Sequence, residues 1–408
     1  MPEEILCITH KYPPFIGGME NQSYELIKGL SGYYQTHIIA YQGKMNKFLW
    51  FLKLRWKVKS YLKQHPSIKL IHLNDGTMGV GMLWLQKETR IPIVVTYHGL
   101  DITFPSAFFQ NKLVPRLRKY DGAICVSEFT RQQCLKKGFN QKTTFTVNNG
   151  VNTSLGDIPF DETIVQKLQN IYGIDIAGKN VLVSTGRPVK RKGFSWFLKN
   201  VMPLLDDNTI FLMMGPLKKE QTLFEKFVQK LPRNIGYKIH LLFGFPTDKP
   251  EIVKQLAKQK NAYHLGKVSD EDLYQILSLA NLFVMPNLSF PGDVEGFGLV
   301  ALEASMRGTY VLASNIDGIP SAVIHNQNGI LLPSGDAQAW ANKIHELLSD
   351  KKRLKILSEN GKEYTQQHFS WKMMADGYIN VFDRFISLSS TKQLERYHRK
   401  FLHKLMIR

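Results

Sequence analysis

The stretch FPGDVEGFGLVALEASMRGTY, residues 290–310, indicates how the second half of the chain folds. The apolar residues before it, ANLFVMP at 280–286, predict a short buried strand that a proline closes. Gly296 and Gly298 follow, and then an apolar run typical of a helix. A helix that begins beside the end of a strand presents free backbone N–H groups and a positive dipole end. The stretch therefore predicts an anion site suited to phosphate.

Two carboxylates stand in this stretch, Glu295 in the predicted loop and Glu303 between one and two turns into the predicted helix. Ionised carboxylates only accept hydrogen bonds, so they suit the hydroxyl groups of a sugar. Recognition of phosphate and of hydroxyls side by side indicates a nucleotide-sugar. The alternative is a surface loop and an ordinary amphipathic helix that carry two solvated glutamates.

Composition limits the class of protein. The 408 residues, 43% of them hydrophobic, are enough for two or three domains with real cores. Three cysteines without a C-x-x-C pair indicate a reducing, cytoplasmic compartment and no structural metal. We expect neither a signal peptide nor a segment that spans a bilayer. The net charge of +19 is compatible with nucleic acid, an anionic membrane or anionic substrates as partners, and equally with a biased genome or plain solubility. We find no zinc pattern or basic recognition helix, so a nucleic-acid-binding protein is only the remote alternative.

Predicted strands alternate with helices in two runs, which indicates two parallel sheets of the α/β class. The first run of strands lies at 4–10, 37–41, 69–73, 93–97, 122–127 and 144–147. The second lies at 180–185, 211–215, 240–244, 262–265, 280–285 and 310–313, with an edge strand at 329–332. The alternation lapses at 153–179, where we place a linker. This predicts domains at 1–170 and 171–370, followed by a basic, helical tail.

The string EGFGLVALEA, residues 295–304, resembles the E-x7-E region of family-4 glycosyltransferases nearly letter for letter. The resemblance implies the GT-B fold, with two Rossmann-like domains and an active site in the cleft between them. It places the acceptor on 1–170, the nucleotide-sugar on 171–370, and the helix 371–408 back on the first domain. It also implies a retaining, hexosyltransferase-type enzyme that uses a nucleotide diphosphate-sugar as donor.

Further motifs of the same family occur in family order and give its roles to residues of this chain. STGRPVKRKG, 184–193, resembles the loop whose Arg and Lys bind the donor diphosphate, here Arg187 and Lys192 after Gly186. YHLGKVSDEDLYQIL, 263–277, resembles the loop against the base, with Gly266 and Val268 at the matching positions. The acids at 270–272 also fit a D-x-D metal motif. We interpret them instead as the first turn of a helix that Ser269 caps, and we expect no metal or other cofactor.

YHGLD, 97–101, matches the family's H-G-x-D placement, in which the histidine contacts the donor sugar, although a histidine at a strand end is more often structural. Gly17 and Gly18 correspond to the family's glycine loop. By this resemblance the catalytic residues are His98, Arg187, Lys192 and Glu295. The residues that the resemblance assigns to binding of the nucleotide-sugar donor are Gly17, Gly18, Gly186, Gly266, Val268, Gly296, Phe297, Gly298, Leu299 and Glu303.

Two departures from the family pattern lie in DGIPS, 317–321, and at Thr309. Ser321 stands where the family commonly has a glutamate, which leaves one polar contact near the donor unassigned. The sequence selects neither the sugar, nor the nucleotide among UDP, GDP and ADP, nor the acceptor. A sugar-nucleotide epimerase or a phosphorylase of the same fold is the alternative to a transferase of cell-envelope glycan or glycolipid biosynthesis.

The segment KMNKFLWFLKLRWKVKSYLK, residues 44–63, carries seven basic residues and no acidic one. Five apolar residues recur at helical spacing, Met45, Phe48, Leu49, Leu52 and Trp56. In one interpretation this stripe packs a crossover helix on the sheet. In the other, the basic and aromatic helix docks on the inner face of a membrane, and the acceptor is lipid-linked. Residues 106–120 offer a second basic and aromatic patch.

Overall fold

The computed structural model describes residues 2–216, 228, 231, 236–239, 241 and 248–406. The chain divides into two compact units. Unit 1 comprises Met1–Ile102, Ala107–Gly150 and Trp371–Arg408, and unit 2 comprises Thr103–Ser106 and Val151–Ser370. Among the described residues, each unit contains one six-stranded sheet whose strand pairs are all parallel. The predicted α/β class with two parallel sheets is therefore confirmed.

The sheet of unit 1 has the spatial order β2-β1-β3-β4-β5-β6. Its strands are β1 Glu4–Thr9, β2 Gln35–Ala40, β3 Ile68–Leu73, β4 Ile93–Tyr97, β5 Gly122–Cys125 and β6 Thr144–Thr146. Both faces of the sheet are covered, because Leu6 and Ile8 of β1 join one core while Ile5 and Cys7 join the other. This two-sided burial explains why the strands read as near-continuous apolar runs.

The sheet of unit 2 has the spatial order β12-β11-β10-β7-β8-β9. Its strands are β7 Asn180–Thr185, β8 Thr209–Met214, β9 Ala262–His264, β10 Leu282–Met285, β11 Tyr310–Ser314 and β12 Gly329–Leu332. The predicted edge strand at 329–332 is the observed edge. The strand predicted at 240–244 lies outside the described residues, apart from the single residue at 241.

Helices connect the strands and cover the sheets. In chain order they are α1 Gly18–Leu30, α2 Lys47–Gln64, α3 Gly76–Gly81, α4 Leu85–Glu88, α5 Leu100–Thr103, α6 Val114–Leu117, α7 Glu128–Lys136, α8 Thr163–Tyr172, α9 Phe194–Asn200, α10 Lys249–Leu256, α11 Asp270–Leu279, α12 Leu299–Met306, α13 Ala337–Ser349, α14 Lys351–His368 and α15 Trp371–Met406. The last helix belongs to unit 1, where Tyr378 and Phe382 pack with Ile5 and Leu26.

The predicted linker at 153–179 contains a helix of unit 2. Ile164 and Leu168 of α8 are buried in the core that also holds Val181 and Val183 of β7. The boundary between the units therefore follows Gly150 instead of residue 170. Only two residues of α8 are fully buried, so its sequence is easily mistaken for that of a connecting segment.

Helix α2 packs on unit 1 through a different stripe from the one selected in the sequence. Trp50, Leu54 and Val58, spaced four residues apart, are buried in the core with Leu6 and Ile8. Met45, Phe48, Leu49, Leu52 and Trp56 are instead 42–69% exposed. The interpretation of those five residues as the packing face is therefore wrong. The helix is apolar on two opposite sides.

Two leucines of α2 form a matched pair for a stability test. Leu54 is 1% exposed and Leu52 is 50% exposed. We expect Leu54→Ala to lower the free energy of unfolding by about 2–5 kcal/mol, because it leaves a cavity in the core. Leu52→Ala should stay within about 0.5 kcal/mol of the parent. Urea unfolding followed by circular dichroism measures both, and equal effects would contradict the assigned orientation of the helix.

Candidate active site

The loop between β10 and α12 has the predicted form of strand, glycine-bearing loop and helix. Met285 ends β10, and Gly298 is the N-cap of α12 with φ 110° and ψ 49°. A positive φ of this size favours glycine, which explains the residue at this position. The N–H of Ala301 donates to the carbonyl oxygen of Gly298 at 3.0 Å, whereas the N–H groups of Leu299 and Val300 have no acceptor within the helix and can face a phosphate. The side chain of Phe297 is buried beside Phe369, and this residue would offer a ligand only its backbone.

The basic loop after β7 lies directly against this first loop. Lys190–Lys192 form a 3₁₀ turn that ends at Gly193, which adopts a left-handed conformation with φ 70°. A Cβ atom on Gly193 would lie 1.8 Å from the carbonyl oxygen of Pro286, so only glycine allows the two loops to approach this closely. The turn directs Lys192 into the protein, where it is 8% exposed, while Arg187 remains on the surface.

Glu295 is the centre of an ion-pair cluster that joins the two loops. Its Oε2 lies 2.6 Å from Nζ of Lys192 and accepts a hydrogen bond from Nη1 of Arg191. Asn287 Nδ2 donates to the same oxygen at 3.1 Å. Nε of Arg191 lies 3.0 Å from Oδ1 of Asp293. The structure thus brings together the predicted Lys192 and Glu295 and adds Arg191 and Asp293, which the sequence analysis did not assign.

The charges in this cluster fix the protonation of its members. Burial alone would raise the pKa of Glu295, but Arg191 and Lys192 hold it well below its usual range. Burial lowers the pKa of Lys192, and the charge of Glu295 opposes that effect. Arg187 also lowers the pKa of Lys192, as expected of a cation near the cluster. A ligand with several negative charges would therefore meet cations that a carboxylate already orients.

Glu303 has a very different environment from Glu295. It is the fifth residue of α12 and is half-buried. Burial, together with the negative charge of Asp270, raises its pKa to about 7. Within the described part of the chain, Glu303 has no basic partner within ion-pair distance. One glutamate of the pair is thus held as an anion, whereas the other sits near its ionisation point at neutral pH.

The loop after β9 positions the start of α11 near Glu303. Gly266 has φ 76°, and Val268 packs against the core of unit 2. Oγ of Ser269 accepts a hydrogen bond from the backbone N–H of Asp272 at 3.0 Å, and Asp272 pairs with Lys167. The acids at 270–272 therefore form the capped first turn of α11, which confirms the interpretation of Ser269 as an N-cap.

In unit 1, His98 follows β4 at the carboxyl edge of the sheet. Its Nε2 donates to the carbonyl oxygen of Asn74 at 2.8 Å, and its backbone N–H donates to Oδ1 of Asp101. The other oxygen of Asp101 accepts from the backbone N–H of Gly76. The imidazole is thereby fixed in orientation, with Nδ1 left as an acceptor when the ring is neutral.

Two further titratable residues stand at the same edge of unit 1, and the sequence analysis missed both. Nδ1 of His10, just after β1, lies 3.0 Å from Oδ2 of Asp75, which follows β3 and caps α3. Both side chains are buried. Their positions at strand ends are the signal that could have found them, since ligands of parallel sheets bind there. Gly17 and Gly18 open α1 nearby in the chain, with Gly17 as its N-cap.

Comparison with known proteins agrees with this architecture. Residues 16–155 match the model of Glycosyltransferase Family 4, and residues 173–364 match that of Glycosyl transferases group 1. A crystal structure of Anabaena HepE in complex with UDP and glucose superposes with a TM-score of 0.70 and 18% identity, covering 94% of this chain and all of the other. The fold is therefore GT-B, and the class is that of glycosyltransferases.

Two relatives match most of the chain. The capsular polysaccharide biosynthesis glycosyltransferase CapM of Staphylococcus aureus is 25% identical over 88% of this chain and 87% of its own. The phosphatidyl-myo-inositol mannosyltransferase of Mycobacterium leprae is 24% identical over 87% of this chain and 84% of its own. The assignment rests on the two consecutive family models, which together match residues 16–155 and 173–364 and identify the chain as a family-4 glycosyltransferase.

Arg187 and Lys192 are the residues predicted to bind the donor diphosphate, and substituting them tests that prediction. We expect Arg187→Ala and Lys192→Ala each to lower turnover about 10²- to 10³-fold, the usual effect of losing one donor at a developing anion. Lys190→Ala, an exposed lysine of the same turn, is the control and should leave turnover nearly unchanged. Lys192→Ala should still fold, because Glu295 keeps Arg191 and Asn287 as partners. If steady-state kinetics gave the turnover of the parent for both Arg187→Ala and Lys192→Ala, the predicted role of these residues in binding the diphosphate would be wrong.

The raised pKa of Glu303 gives a test of its environment. Between the ordinary carboxyl pKa and about 7, the folded protein holds a proton that the unfolded chain has released. The contribution of this group to stability therefore falls as pH rises through that window. Glu303→Gln should melt like the parent at pH 4, below the ordinary carboxyl pKa, and be more stable by about 1–3 kcal/mol at pH 8. Glu359→Gln, on an exposed carboxylate, is the control. A constant difference between Glu303→Gln and the parent at both pH values would be the contrary result.

Proposed function

We propose that the protein transfers a sugar from a nucleotide diphosphate-sugar to a lipid-linked or membrane-proximal acceptor, with retention of anomeric configuration. The setting would be the biosynthesis of a cell-envelope glycan or glycolipid. The observation that carries the proposal is the cluster of Lys192, Arg191 and Glu295 beside the start of α12. It combines cations and free N–H groups for a diphosphate with a carboxylate for sugar hydroxyls.

Cleavage of the donor develops negative charge on the leaving diphosphate. Lys192, Arg187 and the N–H groups that follow Gly298 are the groups we assign to stabilise that charge. Arginine can hold two phosphate oxygens at once, and lysine adds a point charge, so we infer that catalysis needs no metal ion. Glu295 and His98 orient the sugar in this proposal, and Glu303 accepts from the hydroxyls of the ribose.

The position of the carboxylates argues against a simple hydrolase. A retaining glycoside hydrolase uses two carboxylates on opposite sides of the scissile bond. Both glutamates of the E-x7-E region belong to unit 2, and Glu295 is bound to Lys192 and Arg191. We therefore assign neither as a nucleophile. Retention itself rests on membership of the family.

The relatives favour an envelope acceptor. One is named for capsular polysaccharide biosynthesis, and another is named a phosphatidyl-myo-inositol mannosyltransferase. The solved structure of HepE contains UDP and glucose, which supports a nucleotide-sugar as donor class. The identity of sugar, nucleotide and acceptor is left to experiment.

A donor screen and a transfer assay test this function. A thermal-shift panel of UDP-, GDP- and ADP-sugars should show stabilisation by one donor, about 2.7 kcal/mol at a hundredfold excess over its dissociation constant. With that donor and a lipid-linked acceptor, we expect product in excess EDTA. Activity that EDTA abolishes and Mn²⁺ or Mg²⁺ restores would contradict metal independence. Conversion of the donor to an epimer without acceptor would favour the epimerase alternative.

The exposed face of α2 supports attachment to a membrane surface. At 100° per residue, Phe48, Leu49, Leu52 and Trp56 lie on one side of the helix, opposite the buried stripe. Lys53 and Lys57 lie beyond one border of this side and Arg55 lies beyond the other, while Lys59 lies within it; Arg55 and Lys59 pair with Glu88. An apolar strip bordered by bases suits the interface of an anionic bilayer. Within the described residues, no helix has both the length and the apolar character needed to cross a membrane.

The apolar face continues from α2 to the glycine loop before α1. The ring of Phe15 stacks on that of Tyr41 at 5.4 Å between centroids, and Tyr41 OH donates to the carbonyl oxygen of Met45. Ile16, next to Gly17, is 84% exposed. The surface we propose for lipid contact therefore reaches the glycine loop of Gly17 and Gly18, within the residues 1–170 on which the family resemblance places the acceptor.

Sedimentation with liposomes measures the proposed attachment. We expect the parent protein to co-sediment at low salt with vesicles that contain anionic lipid and to remain in solution with neutral vesicles. Phe48→Gln with Trp56→Gln should release it, and Lys53→Gln with Lys57→Gln should weaken binding by about 1 kcal/mol for each charge. Lys136→Gln with Lys142→Gln is the control of equal charge change. A parent protein that fails to co-sediment would favour a soluble acceptor.

A further inference from the structure

Three potential metal ligands meet at one corner of unit 1, at the amino ends of β1 and β2. Glu4 opens β1, His37 lies in β2, and His65 follows the end of α2. Their ligand atoms all lie within 4.8 Å of one another, and Glu4 Oε2 is 2.9 Å from His37 Nε2. Since the strands are parallel and about 17–20 Å long, this corner is remote from the carboxyl edge that holds His98.

Tyr61 of α2 holds both imidazoles in place. Its hydroxyl lies 2.9 Å from Nδ1 of His37, which leaves Nε2 directed toward Glu4. The ring of Tyr61 also stacks on His65, with 4.3 Å between centroids and 27° between planes. A hydrogen bond to the second ring nitrogen is the usual partner of a metal-binding histidine, because it fixes the tautomer and the ring orientation.

The carboxylate of Glu4 supplies the third ligand beside His37. The side chains of His37 and Glu4 are 9% and 19% exposed, so the corner is sheltered yet reachable from solvent. Two imidazoles and one carboxylate form a donor set that Zn²⁺ accepts, with water as a fourth ligand.

We propose that Glu4, His37 and His65 form a binding site for Zn²⁺ or a similar transition-metal ion. Zinc–nitrogen and zinc–oxygen bonds of about 2.0–2.2 Å require tetrahedral ligand atoms about 3.3 Å apart. The ligand atoms, which all lie within 4.8 Å of one another, would draw together to that spacing around the ion. The ion ties the end of α2 to β1 and to the edge strand β2. It has a structural role and is independent of glycosyl transfer.

The test titrates ZnCl₂ into chelator-treated, full-length protein by calorimetry and follows the melting temperature in parallel. We expect one Zn²⁺ per chain and a higher melting temperature. His65→Ala and Glu4→Gln should each weaken binding at least about tenfold, because each removes a ligand. Mg²⁺ at the same concentration should have no effect, since it prefers an all-oxygen shell.

The chain has twelve histidines, so adventitious binding needs a matched control. His345 is suitable, because its Nδ1 lies 3.6 Å from a carboxylate of Asp206 on the exposed surface of unit 2. His345→Ala should retain the Zn²⁺ affinity of the parent. Failure of the parent to bind, binding that survives His65→Ala, or an equal loss in His345→Ala would overturn the site.

Discussion

The contact between Glu295 and the two cations Lys192 and Arg191 is the interaction on which the donor-side loops depend. Burying three charges is favourable only when each finds a partner with good geometry, and removing one partner leaves an uncompensated charge. Here Oε2 of Glu295 alone accepts hydrogen bonds from the side chains of Lys192, Arg191 and Asn287. The cluster therefore fixes the basic loop after β7 against the loop after β10, and it does so at the carboxyl edge of the sheet, where a phosphate would bind.

Backbone constraints bring these charges together. The left-handed turn at Gly193 permits contact with the carbonyl of Pro286 and directs Lys192 inward. On the other side of Glu295, its backbone N–H donates to Asp317 and its carbonyl oxygen accepts from Gly318. The DGIPS segment, which departs from the family pattern at Ser321, thus supports the position of Glu295. The two glutamates of the motif then differ in protonation because only one of them has cationic partners.

The sequence predicted the strands well and the side-chain arrangement in part. The bounds of β4, β7 and β12 agree with the prediction, since strands buried on both faces are continuous apolar runs between turn residues. Arg191 was missed because a run of three bases does not reveal which of them faces the acids. The burial that raises the pKa of Glu303, and its nearness to Asp270, arise from tertiary packing between helices separated in the chain. For α2, two apolar stripes satisfied the helical period, and the pattern alone could not select the buried one.

The most direct measurement of the central claim is a double-mutant cycle between Lys192 and Glu295 for binding of the nucleoside diphosphate. In the free protein the ion pair with Glu295 competes with phosphate for Lys192, so Glu295→Gln should bind the diphosphate more tightly than the parent. Lys192→Met should bind at least about tenfold more weakly, as expected when a charge-assisted contact to phosphate is lost. If Glu295 opposes binding through its ion pair with Lys192, its removal gives no gain once Lys192 is absent, so the double variant should resemble Lys192→Met, with a coupling energy of about 0.5–3 kcal/mol. Additive effects of the two substitutions, or unchanged affinity of Lys192→Met, would contradict the account.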